Sequence, residues 1–552
     1  MILEKKVLIH VIMKKITSTI FVIILLVGLV NGQSFDWAKA AGGGGSDQAY
    51  AITTDNEGNN YVTGWFSGSA HFGDIVLNSE GGKDVFIAKY NNEGVVIWAK
   101  RAWGIANNSA AGICLDWDGF PIITGWFAES IHFGEVTLES RGSYDMYVVR
   151  YNAEGNVIWA KSAGGEGDDY GNRVTTNLEF DVLVSGSFKY TAHFGETTIT
   201  SEGNRDIFIA NYSNSGNFQW VKKAGGEGED RAYDIISASN GTTYFTGLFT
   251  GKAFFGEHDI MSNSILSTYI AKMNAAGNFL WIRKGTGNAN DYARGFGISM
   301  DGEGYVYGNG TFSGSLTFSE TTIEASGGEY DFDAYIVKYN HEGGLSWLKK
   351  GGGYGMDQGM DLYTDSDGHS FTTGFFSGVA EFGEHVLESV GKSDIFIVKY
   401  NWAGEVEWAK RAGGEYLDYG YGISNSSPEN KKLFICGNYQ EEASFDDIVL
   451  NNWGGLDMYV AKLNYENDFV AEINNDSFNI SPNPSNGTFD LNINKPHKDI
   501  TVRVFASDGK LILEEKINPS QNKITLKTEL STGVYTLFIP ELNVGSKFVV
   551  KN

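Results

Sequence analysis

The 552-residue chain carries 68 acidic against 42 basic side chains, a net charge of −26, with 71 glycines, 7 prolines and 2 cysteines. Glycine-rich and 14% aromatic, it suits many short strands joined by tight turns; long helices, a disulfide-stapled scaffold and a CxxC metal site do not fit. The first 32 residues carry +3 and residues 477–552 carry +2, leaving −31 on the middle, a body that argues against nucleic acid as a partner.

Residues 1–32 read as an export signal. From Met13, a possible true start, two lysines precede an apolar run from Ile20 to Val30, and Val30-Asn31-Gly32 offers a small-residue cleavage site. The run is short for a transmembrane span, and a mature chain beginning at Gln33 is expected to have none. No Cys follows the cleavage point to carry a lipid.

Residues 33–471 repeat. Tryptophans recur at Trp37, Trp98, Trp159, Trp220, Trp281, Trp347 and Trp408, spaced 61 residues apart except for one interval of 66. Ten residues past each stands Asp47, Asn108, Asp169, Asp230, Asp291, Asp357 or Asp418. Two past that position lies Ala or Gly, and five past it an apolar residue, Phe296 in the fifth copy. A Gly with an aromatic two residues on follows, as in Gly64/Phe66. Each unit then reads as four strands; the first offers AYAIT, NYVTGWF, DVFIAKY and VVIWAKR between Gly, Asn and Asp turns.

A four-stranded unit of this size cannot bury both faces alone, so stacking units around an axis predicts a seven-bladed β-propeller. The small residue after the acid fits an innermost strand, where backbones converge. The last unit lacks its own Trp strand, so the Trp37 strand is expected to complete it beside Asp457–Asn464 and remove the open edge. Repeats such as DNEGNNYVTGWFSG, SDIFIVKYN and WAKRAGG resemble the SBBP-type bacterial β-propeller proteins, over about residues 35–464. The resemblance implies a propeller and fixes neither ligand nor reaction.

Residues 472–478 read as a linker, and residues 479–552 differ in style, holding five of the seven prolines and no Trp. Alternation in VRVFASDGKLIL around Asp508-Gly509 predicts a hairpin in a small Ig-like β-sandwich. Pro482-Asn483-Pro484 with Gly487, the turn at Gly509, Gly533 with Tyr535, and the run from Lys547 resemble the C-terminal sorting domain of the type IX secretion system of Bacteroidetes. That resemblance implies the type IX machinery as a partner, passage across both membranes, removal of the tail, and release or attachment at the outer face.

The recurrent acids Asp47, Asp169, Asp230, Asp291, Asp357 and Asp418 admit two readings: a collar of carboxylates at one channel mouth, or turn-locking acceptors of backbone N–H groups. A second acid heads the third strand of six units (Asp84, Asp145, Asp206, Asp333, Asp394, Asp457), and its expected ion-pair partner is the basic residue two beyond a Trp. Residues that vary three and four past the repeat acid, Tyr50, Asn172, Arg173, Tyr233, Asp234, Arg294, Asp361 and Tyr421, are candidates for contact with a sugar or protein, or simple drift. His71, His132 and His193, one per unit on outer positions, stand too far apart for a shared metal. Acidic turns such as Asp55-Asn56-Glu57-Gly58 lack the distal Glu of a calcium loop and read as hairpins. No catalytic or nucleotide fingerprint appears, and no cofactor is expected. The expectation is a secreted or surface-attached binding or adhesion module; a propeller enzyme acting on polysaccharide and a structural surface-layer component remain open.

Overall fold

The computed structural model describes residues 33–327, 331–425 and 431–465, with tail strands at 478–481, 488–493, 500–506, 511–517, 523–527, 533–539 and 544–550. The expected export signal 1–32, residues 472–477 of the expected linker, and Pro482, Asn483, Pro484, Gly487 and Gly509 lie outside them, while Phe478 opens the first tail strand. The chain divides into two compact units, Gln33–Tyr465 and one holding the tail strands. Among the described residues every regular element is a strand and all sheet pairings are antiparallel.

The Gln33–Tyr465 unit is propeller-like. Its sheets have four to six strands, with one two-stranded hairpin besides. The first sheet shows the pattern: Gln48–Thr54 pairs with Asn60–Phe66, which pairs with Asp84–Tyr90, which pairs with Val96–Ala102. Its first strand lies against the first strand of the next sheet, Ser109–Leu115, and the succession continues through Tyr170–Thr176, Arg231–Ser237, Tyr292–Met300, Gln358–Thr364 and Tyr419–Asn425. The last of these lies back against Gln48–Thr54, so the series returns on itself.

Second and third strands are buried along nearly their whole length, with Lys89 and Trp126 half-buried, because each sheet is covered on both faces. Tyr61, Ile87 and Trp98 of one sheet share a core with Ile113, Ile123 and Tyr147 of the next. The recurring Trp adds a directional tie: the indole N–H of Trp37 donates to Asn92 O at 3.0 Å, Trp98 to Ala153 O at 3.0 Å and Trp159 to Asn214 O at 2.9 Å. Each reaches the hairpin turn of the following sheet.

The N-terminal strand closes the series. Ser34–Gly43 runs antiparallel to Ile448–Asn464, with Ala38 opposite Ala461 and Ala41 opposite Met458. A strand edge that would otherwise stand open is thereby covered.

The acidic turns are hairpins: Asp55 Oδ1 accepts the N–H groups of Glu57 and Asn59, and Asp365 Oδ1 those of Asp367 and His369. One expectation needs correction. Three of the six third-strand acids meet the basic residue three beyond the Trp, not two: Lys350 to Asp333 at 3.2 Å, Lys223 to Asp206 at 3.6 Å and Arg411 to Asp394 at 2.5 Å. Strand side chains alternate, so the residue two beyond shares the face of the Trp while the next one turns toward the acid. Cys436 is buried and Cys114 half-buried, both free.

In the tail, one sheet has three strands and another four; Ile500–Ala506 pairs with Leu511–Ile517 and with Gly533–Ile539. Gly533 and Tyr535 sit opposite Val550 and Phe548, and Lys547 opposite Thr536.

Candidate functional site

Each inner strand carries one β-bulge, which leaves one residue unpaired and re-aims it. The unpaired residues are Tyr50, Ala111, Asn172, Tyr233, Phe296, Met360 and Tyr421. All seven line a single cavity of about 220 Å³, joined among the described residues by Trp126 and Arg173. The bulge follows a close backbone approach. Ala49 faces Gly64, where an added Cβ would lie 1.8 Å from Gln48 O, and Gly186 and Gly310 are equally crowded by Tyr170 O and Arg294 O. That contact is the reason for the glycine in the Gly-x-aromatic signature.

Of the sequence candidates, Tyr50, Asn172, Arg173, Tyr233 and Tyr421 come together here. Arg294 does not. In the fifth unit the small residue opposite the glycine is Gly295, which precedes Gly310 by the same interval that separates Ala49 from Gly64. The bulge therefore falls on Phe296, Ile298 takes the core position expected of Phe296, and Arg294 pairs with Thr311 on the strand. Ala111, Phe296, Met360 and Trp126 were missed as lining residues. The GFGI run at 295–298 was the available signal for the shifted register.

Beneath the cavity, Arg173 Nε lies 3.3 Å from Asp234 Oδ1 and its Nη2 3.4 Å from Asp361 Oδ1. Burial works against the guanidinium charge, but the two carboxylates outweigh it and hold Arg173 above its usual range. Burial likewise pushes Asp234 and Asp361 up, against the pull of Arg173. Each carboxylate also ties its strand onward: Asp234 Oδ2 accepts Ile298 N–H at 2.8 Å and Asp361 Oδ2 accepts Ile423 N–H at 2.9 Å. The corresponding positions elsewhere are Ala51, Gly112, Gly297 and Gly422, so one long side chain fits the axis.

The repeat acids lie off this cavity. Asp47, Asp169, Asp230, Asp357 and Asp418 have no exposed surface, and Asp291 is 9% exposed. Asp47 Oδ2 accepts Gly43 N–H at 2.8 Å and its Oδ1 accepts Ser67 N–H at 3.0 Å; Asp169 does the same with Gly165 and Lys189. Asp291, displaced by the register shift, takes Asn288 N–H, Ser315 N–H and the Ser315 hydroxyl instead. Burial lifts Asp47, Asp169, Asp230, Asp357 and Asp418 to about 7. Asn108 holds the same place in the second unit. Among the described residues no group of three or more His, Cys, Asp or Glu side chains could hold a metal ion. His132 stacks on Trp103 at 4.0 Å.

Residues 479–551 match the family model of the secretion system C-terminal sorting domain. That tail indicates export through the type IX secretion system, and with it a secreted or cell-surface protein. Among the described residues no helix is long and apolar enough to cross a membrane.

Two curated proteins are similar to the chain. An uncharacterized WD repeat-containing protein, L264 of Acanthamoeba polyphaga mimivirus, is 20% identical over 81% of this chain and 39% of its own. The regulatory protein FlaEY of Caulobacter vibrioides is 23% identical over 61% and 37%. The chain thus spans less than two-fifths of either. Among solved structures, an apocarotenoid oxygenase mutant of Synechocystis aligns at 10% identity with a TM-score of 0.31, covering 70% of this chain and 95% of its own. A puromycin hydrolase mutant aligns at 10% and 0.31, covering 72% and 59%.

Proposed function

We propose that residues 33–471 form a closed seven-bladed propeller of the SBBP-repeat type, exported behind the signal peptide 1–32, and that it acts outside the cell as a binding or adhesion module. On this reading residues 472–478 link it to the sorting tail, an Ig-like sandwich removed during export, and the axial cavity is the binding site. The observation that carries the reading is the convergence of seven bulge residues of five types, three of them Tyr, on one concavity. Repeated structure is symmetric, and a symmetric scaffold whose units present aromatic, aliphatic and amide side chains at one point is suited to recognition.

Binding is favoured over cleavage of polysaccharide because Asp234 and Asp361, the carboxylates beneath the cavity, are both committed to Arg173 and to backbone N–H groups. The test is adhesion of the labelled full chain to cells and to their extracted surface material, compared with a Tyr233→Ala/Tyr421→Ala variant of equal melting temperature. Adhesion lost in the variant supports the module. Adhesion unaffected by the variant, or polysaccharide turnover abolished by Asp361→Asn, overturns it.

A further inference from the structure

We propose that the axial cavity takes a single uncharged sugar ring, the terminal residue of a surface glycan; this rests on the cavity being the binding site. The wall is two-sided. Going round the axis, Tyr233, Phe296, Met360, Tyr421 and Tyr50 come from successive units and make one apolar arc. Tyr233 packs on Phe296 at 5.3 Å with the rings tilted at 44°, and Tyr50 on Tyr421 at 5.4 Å edge-on, which fixes the rings as a rigid surface. The opposite side offers Asn172 and Arg173, with Ala111 and Trp126 of the neighbouring unit beside them. The Asn172 amide N–H donates to Ala232 O at 2.6 Å, leaving its oxygen as an acceptor. Of the five N–H donors of Arg173, three are taken, by Asp234 at 3.3 Å and by Asp361 and Ala111 O at 3.4 Å each. Two remain.

An aromatic arc facing spare donors and an acceptor matches a pyranose, whose C–H face is apolar and whose rim carries hydroxyls. Charge narrows the class. Arg173 is already compensated by Asp234 and Asp361, so an anionic sugar finds no unpaired cation while losing its hydration. A cationic ligand meets Arg173, the one charged side chain lining the cavity. Either ion, brought into a site that cannot pair it, bears the full desolvation cost. Size narrows it further: about 220 Å³ falls below the ~300–1,000 Å³ of pockets for drug-sized ligands, which leaves room for one ring and not a chain.

The full chain is applied to a glycan array bearing neutral, sialylated, uronic-acid and amino-sugar termini, and bound glycans are competed with free methyl glycosides. The expected result is binding confined to neutral termini, displaced by a neutral methyl glycoside. Tyr421→Ala and Asn172→Asp should each weaken it tenfold or more, with the melting temperature followed as a control on folding. The competition arm needs no variant. Silence on every neutral terminus, or preference for a charged one, overturns the sugar assignment. If a charged or peptide ligand is bound and lost in the Tyr421→Ala chain, the cavity remains the site and the sugar class alone fails. If glycans bind equally well to both variants, the cavity and the sugar class fall together.

Discussion

Asp47 and Asp457 accept the same backbone N–H: that of Gly43, at 2.8 Å from Asp47 Oδ2 and 3.2 Å from Asp457 Oδ1. Beside them Gly42, at φ +141°, leaves the space into which both carboxylates lean, for an added Cβ would lie 2.3 Å from Asp457 Oδ1 and 2.9 Å from Asp47 Oδ2. The arrangement recurs around Gly164, Gly225, Gly352 and Gly413. In the two units without an acid pair, where Asn108 and Ser267 stand, that place is taken by Trp103 and Thr286. The glycine and the acid pair come and go together.

Two buried carboxyls leaning together should hold a proton. Burial raises Asp47, Asp169, Asp230, Asp357 and Asp418 to about 7, and Asp145, Asp206 and Asp457 to about 6, from an ordinary 3.8. The buried Oδ1 atoms of Asp145, Asp206, Asp333 and Asp394 otherwise lack a partner. Because the folded values lie above the unfolded ones, the folded chain binds more protons. The stability these groups contribute is full below about pH 4 and drains away as pH rises through 6 to 7. Asp291 and Asp365, held low by their hydrogen bonds, act oppositely and only at more acid pH. The melting temperature should therefore be higher at about pH 5.5 than at about pH 8. Asp47→Asn, an amide like the native Asn108, should reduce that difference. A melting temperature flat or rising from acid to alkaline pH rules out the shared protons.

The glycine between each pair gives a second test. Gly164 sits at φ +154°, and a Cβ there would lie 2.6 Å from Asp145 Oδ1 and 2.7 Å from Asp169 Oδ2. Gly68, at φ +70°, has open space around it. Gly68→Ala should cost about 1–2 kcal/mol for the backbone conformation alone, whereas Gly164→Ala should cost clearly more, since fixed carboxylates must also move. Urea unfolding of the two variants decides; equal midpoints would mean that the carboxylates give way freely.

Much of this was legible because seven copies of a unit act as an internal comparison. Strand order, the small residue on the inner strand, and the use of Ser34–Gly43 to complete the last sheet all follow from period, turn residues and edge burial. What was hidden is three-dimensional. A fixed offset from Trp281 kept Asp291 in line with its counterparts, while the strand itself took its register from the close approach of Gly295 to Gly310. The pairing of Asp333 with Lys350 rather than Lys349 is a question of strand face. Arg173 meeting Asp234 and Asp361 joins three units at an axis that no spacing in the sequence marks.

Closure by the N-terminal strand should be worth measuring directly. Phe35 and Ala38 are buried in the same core as Leu433, Ile435 and Tyr459, and Phe35 N–H donates to Asp446 Oδ2 at 2.9 Å. Deleting residues 33–41 exposes that core and the edge of Ile448–Asn464. A fall in melting temperature of about 10 °C or more is expected, several kcal/mol at ~2–4 °C each for a domain of a few hundred residues. An unchanged melting temperature means that the strand is dispensable and the ring needs no latch.

The Arg173 cluster separates the value of a charge pair from the penalty for breaking one. Asp234 and Asp361 are 9% and 12% exposed at the side chain, and each serves Ile298 or Ile423 as well as Arg173. Arg173→Met leaves two carboxylates facing each other without a cation, and should cost about 3–5 kcal/mol, the price of a buried charge left uncompensated. Its loss should be milder in acid, where the carboxylates take protons. In Arg173→Met/Asp234→Asn/Asp361→Asn each amide oxygen can still accept its backbone N–H, and no charge is stranded. The triple variant should recover most of the stability lost by the single one, because a buried ion pair and a neutral group of similar shape differ little in net worth. Denaturant midpoints of the three proteins at neutral and acid pH test this. If the triple variant is as unstable as the single, Arg173 holds the axis by the fit of its side chain and not by its charge.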